Sequence, residues 1–301
     1  MTKKENNIVL FSITLCWAAS YIFIKDLPED LSSFAYLTLT TGIAAVLLVA
    51  VFFRRLRKTD KKTVWYSFLL SLMLAGNLLA EKAGLRTLPS SNASFISSLN
   101  ILFVPLILLF FHQKPSRNNV IGMFVILLGL FITTDFQLSG FWNLGTLYMV
   151  VACLFMAAYT IMAAEFTKKS DPLLIGVLQI VFTAVIGFIL WFIEEPRTFA
   201  SLTYSRQMLS NIFILAFFAK AYAYIMLMYS EQYASAFRVT VIASTEPVVT
   251  LCLALLIPNA FGQTESFEPR ALAGAVCIAV GAVIAGMDFL ASRKTGKEVQ
   301  K

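Results

Sequence analysis

Two charged residues stand inside long apolar stretches of this sequence. Lys220 lies near the middle of AFFAKAYAYIML (216–227), and Glu246 directly precedes Pro247 within RVTVIASTEPVVTLC (238–252). An ionised side chain at the centre of a bilayer costs at least ~2.5 kcal/mol on insertion scales. Each of these residues therefore needs a partner or water, and a site for a small charged molecule would supply one.

Each residue also has a structural interpretation. Lys220 either binds the carboxylate of a substrate or pairs permanently with a carboxylate such as Glu246. Glu246 either binds a proton or an amine, or it hydrogen-bonds backbone groups that Pro247 frees by interrupting the helix. Irregular backbone at membrane depth is tolerated only where it is buried in protein or lines a water-filled space. We therefore expect the break at Pro247 to face a cavity or a neighbouring helix.

Further polar and aromatic residues in the apolar stretches could serve the same site. Asn77 lies one helical turn from Glu81 on the same face. Glu81 and its neighbour Lys82 form either part of the site or an interfacial pair at the membrane surface. The asparagines are ligand contacts or interhelical hydrogen-bonding groups, and the aromatic residues are cavity walls or packing. The candidates for the cavity are Trp17, Tyr21, Asn77, Glu81, Asn92, Asn100, Tyr159, Lys220, Tyr224 and Glu246, with Arg238 and Pro247 as gate or structural residues.

Composition places the chain in the membrane. It has 301 residues, of which 58% are hydrophobic and only 14% are charged, whereas soluble domains carry roughly 25% charged residues. The single histidine, His112, excludes a histidine-based metal site. The four cysteines lie in apolar runs and are expected to be small buried side chains rather than disulfides or metal ligands. No metal and no cofactor are expected.

Ten stretches are apolar and long enough for membrane-spanning helices, which need about 20 residues each. Short connections make neighbours in sequence antiparallel neighbours in space. The predicted spans are 8–24, 32–53, 63–83, 90–111, 120–134, 144–165, 173–193, 209–230, 234–257 and 270–291.

The placement of lysine and arginine predicts the orientation. With the N-terminus in the cytoplasm, sixteen of the 24 basic residues lie inside and six outside, while Lys220 and Arg238 fall within spans. We expect a multi-pass protein of the cytoplasmic (plasma) membrane with both termini cytoplasmic. Because insertion explains the net charge of +7, nucleic-acid binding is not expected.

The chain repeats itself. The fifth span contains IGMFVILLGLFI (121–132), and the tenth contains AGAVCIAVGAVI (273–284). Gly122 and Gly129 of the first segment lie 152 positions before Gly274 and Gly281 of the second. An offset of 146 pairs Asn92 with Arg238, Asn100 with Glu246 and Ile101 with Pro247. WAASYI at 17–22 matches MAAYTI at 156–161.

The repeats divide the chain into two five-span units, residues 1–138 and 139–301. An odd number of spans inserts the second unit upside down relative to the first. The sequence thus predicts an all-α integral membrane protein in which two inverted five-helix repeats surround a central cavity. This arrangement is typical of secondary transporters.

Three segments resemble the drug/metabolite transporter superfamily, EamA type: CWAASYIFIK (16–25), EKAGLRTLPSSNASFISSLNILFVPL (81–106) and YSEQYASAFRVTVIASTEPV (229–248). The resemblance covers essentially the whole chain. It implies a ten-helix bundle, alternating access, and passage of small metabolites such as amino acids, often by export. It also implies that helices one, three, four, six, eight and nine line the cavity. One departure concerns the second helix, which often carries an arginine in the family and reads LTLTTG (37–42) here.

These observations predict a secondary-active transporter, not an enzyme, for a small zwitterionic or amphipathic metabolite, with export of an amino acid as the leading case. Lys220 would meet a carboxylate, and Glu246 or Glu81 an amine or a proton. The alternative substrate is a cationic amine or drug, against which Lys220 argues; a membrane-embedded enzyme would need a clustered set of catalytic groups that is not seen. The expected partners are the substrate, the lipid bilayer and, as a candidate coupling ion, protons. The protein is expected to be a monomer or a homodimer.

Overall fold

The computed structural model describes residues 2–28, 30–110, 116–133, 143–201, 204–257 and 269–286, and within these ranges the regular structure is helical. His112 and the predicted repeat boundary at residues 138 and 139 lie outside them. One stretch, Leu215–Tyr222, is a π-helix. The α-helices are α1 (Lys3–Lys25), α2 (Ser33–Leu56), α3 (Lys61–Leu85), α4 (Ser90–Ser97), α5 (Asn100–Phe110), α6 (Arg117–Thr133), α7 (Leu144–Phe166), α8 (Pro172–Glu194), α9 (Pro196–Ser201), α10 (Arg206–Ile214), α11 (Ala223–Tyr233), α12 (Ala236–Ala243), α13 (Glu246–Leu256) and α14 (Pro269–Gly286).

Seven helical stretches among the described residues are long and apolar enough to cross a membrane. Three shorter apolar helices occupy the remaining predicted spans: Asn100–Phe110, Arg117–Gly129 and Pro269–Ala285. The all-helical, multi-pass class is therefore confirmed, while the count of ten spans stays a prediction. The six-residue helix α9 was not predicted.

Polar residues begin the long helices. Ser32, Asp60, Asn143 and Asp171 each accept a hydrogen bond from a backbone N–H in the first turn of the helix that follows, which satisfies donors that have no partner within the helix. Hydrogen bonds from Thr63 hold the pKa of Asp60 below its usual value. These caps fix where each apolar stretch enters helical conformation.

Two of the predicted spans are broken helices, and they break at equivalent positions. The first consists of α4 and α5, and the second of α12 and α13. Each of the four helix boundaries in the first pair is followed 146 positions later by its counterpart in the second. In both, a short turn interrupts the helix, at Ser98–Leu99 and at Ser244–Thr245. Pro247 stands in the first turn of α13, where its missing N–H costs no helical hydrogen bond.

Glycines bring α6 and α14 into close antiparallel contact. A Cβ atom on Gly122 would lie 2.5 Å from the carbonyl oxygen of Gly281, and one on Gly129 would lie 2.7 Å from that of Gly274. The repeat matches Gly122 to Gly274 and Gly129 to Gly281. Gly122 therefore contacts the repeat partner of Gly129, and Gly129 contacts the repeat partner of Gly122. A two-fold relation between the two helices produces this exchange of partners.

Helices of the two halves interleave rather than forming separate bundles. α3 packs on α7, α2 packs on α8, and α1 packs on α12, α13, α11 and the π-helix. Large apolar side chains such as Phe110, Val51 and Leu256 remain more than 70% exposed, which is the expected state of a lipid-facing surface. The interior between the halves holds the polar residues described next.

Candidate functional site

A narrow cavity lies between the two halves of the bundle. Its volume is about 60 Å³, which is room for only a few water molecules. The lining comes from α1, α3, both broken helices, α7, the π-helix and α11, which are the first, third, fourth, sixth, eighth and ninth predicted spans. Of the predicted site residues, the cavity brings together Trp17, Tyr21, Asn77, Glu81, Asn100, Lys220, Tyr224 and Glu246.

Both helix breaks face this cavity. Ser97, Ser98 and Asn100 line it at the first break, and Ser244 and Glu246 line it at the second. The N-termini of α5 and α13 therefore open at the cavity, and such half-helix ends favour negative charge. The expectation that the break before Pro247 avoids lipid is met.

Lys220 is presented by the π-helix. Its side chain is 2% exposed, and its Nζ lies 5.5 Å from the ring centroid of Tyr36 and 6.0 Å from that of Tyr224. Aromatic faces attract an ammonium group, most strongly where water is excluded. π-helical turns frequently occur at functional sites, and here the turn carries the one cavity cation among the described residues.

The cavity also holds two carboxylates. Glu81 is the one that acts electrostatically on Lys220, whereas Glu246 interacts with Glu81 and with the hydroxyl group of Tyr21. In the described part of the chain, none of these three charged groups belongs to an ion pair closer than 4.0 Å. The alternative of a permanent Lys220–Glu246 pair is therefore wrong for this conformation.

Two polar atoms of the lining have unused hydrogen-bonding capacity. The indole Nε1 of Trp17 and the amide Oδ1 of Asn100 are buried and have no hydrogen-bond partner among the described residues. A buried polar group left in this state costs about 1–3 kcal/mol. A donor and an acceptor are thus available to a molecule in the cavity.

Asn77 and Tyr159 have structural contacts. Asn77 donates to the carbonyl oxygen of Ala152 at 3.0 Å and so ties α3 to α7. Tyr159 does not line the cavity; it donates to Gln179 Oε1 at 3.0 Å. Its ring meets that of Tyr224 edge-on at 5.9 Å, and Tyr224 lies 5.6 Å from Trp17. The three rings form an aromatic row that leads away from the cavity.

Asn92 also lies outside the cavity lining. It is half-buried on α4, one half-helix away from Asn100. Its sequence counterpart Arg238 donates to Asn7 Oδ1 on α1. Arg238 thereby joins the start of α12 to the start of α1. We call the end of the bundle at which α1 begins its N-terminal end.

Lysines close the opposite end. Lys25 Nζ donates to the carbonyl oxygens of Leu85 and Leu88 at 3.0 and 3.1 Å. Lys82 Nζ donates to that of Ile24 at 3.4 Å and is buried. Lys82 therefore holds α1 against α3, and the interfacial Glu81–Lys82 pair is not formed because Glu81 turns into the cavity.

Several residues in or beside the cavity were not anticipated from the sequence. Tyr36 contacts Lys220 from α2, one residue before the segment in which the chain departs from the family pattern. Thr240 and Ser244 lie on α12 and at its end, and their 146-position repeat partners are Ser94 and Ser98. Applying the repeat offset to every hydroxyl residue would have found Ser98 and Ser244 together. The buried state expected for all four cysteines is confirmed only for Cys153, since Cys16 and Cys277 are half-buried and Cys252 is exposed.

Comparison with known proteins agrees with this architecture. An uncharacterized transporter of Archaeoglobus fulgidus is 23% identical over 281 residues, which cover 91% of this chain and 83% of that protein. A solved structure titled only "Crystal structure of protein" superposes with a TM-score of 0.73 at 16% identity, over 97% of this chain and 99% of that one; it shares the fold. The EamA-like transporter family matches residues 6–135 and 143–287, one match in each half. Since these matches cover nearly the whole sequence and confirm its resemblance to the drug/metabolite transporter superfamily, the chain belongs to the EamA-like transporter family.

Proposed function

We propose that this protein is a secondary-active transporter that moves a small zwitterionic metabolite, an amino acid or a close derivative, through the central cavity. The observation that carries the proposal is the presence of Lys220, buried and without an ion-pair partner among the described residues, in one cavity with Glu81 and Glu246. A buried charge without an ion partner is costly. A substrate with one carboxylate and one amine supplies a partner for each sign of charge.

Each end of such a substrate has a matching group. The substrate carboxylate binds Lys220 and is favoured by the N-termini of α5 and α13. The amine binds Glu81 or Glu246, and the second carboxylate is then available for a proton. The unused Trp17 N–H and Asn100 carbonyl fix the orientation of the molecule, because a site built from such groups rejects analogues that leave them unpaired.

Alternating access follows from the repeat architecture. Ten spans in two inverted units allow one unit to rock against the other about the cavity. Opening at each end would break a different set of contacts. At the N-terminal end it would break the hydrogen bond between Arg238 and Asn7, and at the other end the hydrogen bonds that Lys25 and Lys82 donate to backbone carbonyl oxygens.

We also propose that the protein exports its substrate across the cytoplasmic membrane, with both termini in the cytoplasm. The asymmetric distribution of lysine and arginine between the predicted loops supports the orientation. Export rests on the resemblance to the superfamily.

Thermal-shift screening of the purified chain against amino acids, amines, nucleosides and vitamins, followed by counterflow in proteoliposomes, tests the proposal. We expect stabilisation and counterflow with at least one amino acid or derivative. Lys220→Met should abolish this counterflow, whereas the control Lys58→Met, which changes an exposed lysine, should not. Stabilisation confined to compounds that lack a carboxylate would contradict the proposal.

A cationic amine is the second candidate, and one observation favours it. Among the described residues the cavity lining has two carboxylates but one lysine, and the rings of Trp17, Tyr21 and Tyr224 also line it; aromatic faces bind ammonium groups. The same variant separates the candidates, since Lys220→Met should preserve or increase the transport of a substrate that carries only positive charge.

A further inference from the structure

Glu231 is a buried carboxylate that lies outside the cavity. It stands in the last turn of α11 and is 0% exposed. Neither of its carboxylate oxygens has a hydrogen-bond partner among the described residues, and no ion pair within that part of the chain includes it. A glutamate buried in this way needs a reason, because almost all buried carboxylates are paired or hydrogen-bonded.

Polar groups with unused capacity surround this position. Asn6 Nδ2 on α1 donates to the carbonyl oxygen of Ser230 at 3.5 Å, which places Glu231 at the N-terminal end of the bundle. Asn6 Oδ1, Ser230 Oγ and Gln179 Nε2 are buried and without partners in the described ranges. The region is therefore polar and under-bonded rather than packed as an ordinary apolar core.

The charged group that acts electrostatically on Glu231 is Lys168, in the turn that follows α7, and Glu231 in turn acts on Tyr159 of α7. Lys168 is half-exposed and pairs with Glu165 at 3.0 Å. Asn6 of α1, which is hydrogen-bonded to Ser230, and Gln179 of α8, which is hydrogen-bonded to Tyr159, carry no charge.

Only a neutral carboxyl group fits these surroundings. An ionised carboxylate with no hydrogen bond and no buried cation carries a large free-energy cost, and binding a proton removes it. If the N-terminal end of the bundle opens, water reaches the group and Lys168 can approach it, so the ionised form becomes the stable one. The protonation state of Glu231 is thus tied to whether this end is closed or open.

We infer that Glu231 is a proton-binding site that couples closure of the N-terminal end of the bundle to proton uptake. On opening, the carboxyl O–H bond breaks, its electron pair stays on the carboxylate, and the proton passes to water. This role rests on the proposed transport function and is separate from that of Glu81 and Glu246 in the cavity, one of which binds the substrate amine.

A physical link joins this site to the cavity. The Tyr159 hydroxyl, on which Glu231 acts electrostatically, donates to Gln179, and the Tyr159 ring contacts that of Tyr224, which lines the cavity. A substrate that displaces Tyr224 would therefore move Tyr159 against the Glu231 region. Proton binding at one end and substrate binding in the cavity then bias the same movement.

Infrared difference spectroscopy of the full chain in lipid tests the proton site without any substrate. We expect a protonated-carboxyl C=O band at neutral pH that is lost in Glu231→Gln and kept in Glu165→Gln, the control at an exposed carboxylate on α7. Glu231→Asp, which retains a titratable group, should keep such a band and guards against a folding defect. A spectrum that is the same in wild type and Glu231→Gln would overturn the inference.

Uptake of a mixture of radiolabelled L-amino acids into proteoliposomes tests the coupling. A pH gradient should change the uptake rate of the wild-type protein several-fold. Glu231→Gln should lose this change in rate and keep counterflow when the pH is equal on both sides. A pH response that survives in Glu231→Gln would overturn the coupling role. Absence of counterflow by the wild type would instead count against the proposed function, and the infrared result would still decide whether Glu231 holds a proton.

Discussion

The Lys220 ammonium group lies 5.5 Å from the ring centroid of Tyr36, a residue of α2 that is itself fully buried. The two residues come from different halves of the chain, so the cation is held by a contact across the interface between the halves. Within the described ranges, Lys220 lies beside two aromatic rings and belongs to no ion pair. Such a contact stabilises the buried ammonium group and leaves it able to form an ion pair with an anion that enters the cavity.

Replacing Tyr36 tests this contact. A desolvated cation–π interaction contributes about 2 kcal/mol, roughly thirtyfold in an equilibrium constant. We expect Tyr36→Leu to lower the unfolding temperature and to weaken substrate binding by up to that factor, whereas Tyr36→Phe keeps the aromatic face and should stay close to wild type. Thermal unfolding and the KM of counterflow measure the two effects. Equal losses in both variants would mean that the ring does not stabilise Lys220.

The antiparallel contact of α6 with α14 gives a prediction about stability. Gly122→Ala would force a methyl group to within 2.5 Å of the Gly281 carbonyl oxygen, and overpacking of this kind costs about 1–3 kcal/mol. Gly281→Ala should behave similarly, since its Cβ would lie 2.7 Å from the Gly122 oxygen. Differential scanning fluorimetry in detergent measures the loss.

Gly42 on α2 supplies the matched control. A Cβ atom there meets nothing within 4 Å, so Gly42→Ala should be neutral or slightly stabilising, as alanine is in an unobstructed helix. If Gly42→Ala and Gly122→Ala destabilise equally, the loss at Gly122 comes from helix propensity or membrane insertion and not from contact between the two halves.

The sequence predicts the helices well because a run of apolar residues is a local signal. It also predicts the break at Pro247, but not the matching break in the fourth predicted span. The 146-position offset, which aligns Asn100 with Glu246, would have located that second break, because both residues begin the second half of a broken helix. The π-helix at Lys220 has no such signal, because its hydrogen-bonding pattern depends on the helices packed around it. The burial of Glu231 could not be predicted for a related reason. The segment YSEQY (229–233) has the composition of a polar helix end, and whether such an end is buried depends on tertiary packing.

Arg238 and Asn7 should act as one unit at the N-terminal end. Their side chains are hydrogen-bonded across α12 and α1, so the effects of Arg238→Ala and Asn7→Ala on stability should not add in the double variant. Residues in direct contact show interaction energies of about 0.5–3 kcal/mol in such a cycle. Urea or thermal unfolding of the four proteins measures it. Strict additivity would show that the contact does not hold the two helices together.

The indole N–H of Trp17 separates a binding role from a packing role. Because Nε1 has no hydrogen-bond partner in the described part of the chain, Trp17→Phe removes an unsatisfied donor and should leave the unfolding temperature unchanged or raise it. If the N–H binds the substrate, the same change removes a hydrogen bond of about 0.5–1.5 kcal/mol and raises the KM of counterflow by roughly two- to tenfold. Trp65→Phe, at an exposed tryptophan on α3, is the control and should change neither quantity. A KM for Trp17→Phe equal to that of wild type would assign Trp17 to the wall of the cavity, with no polar contact to the molecule inside it.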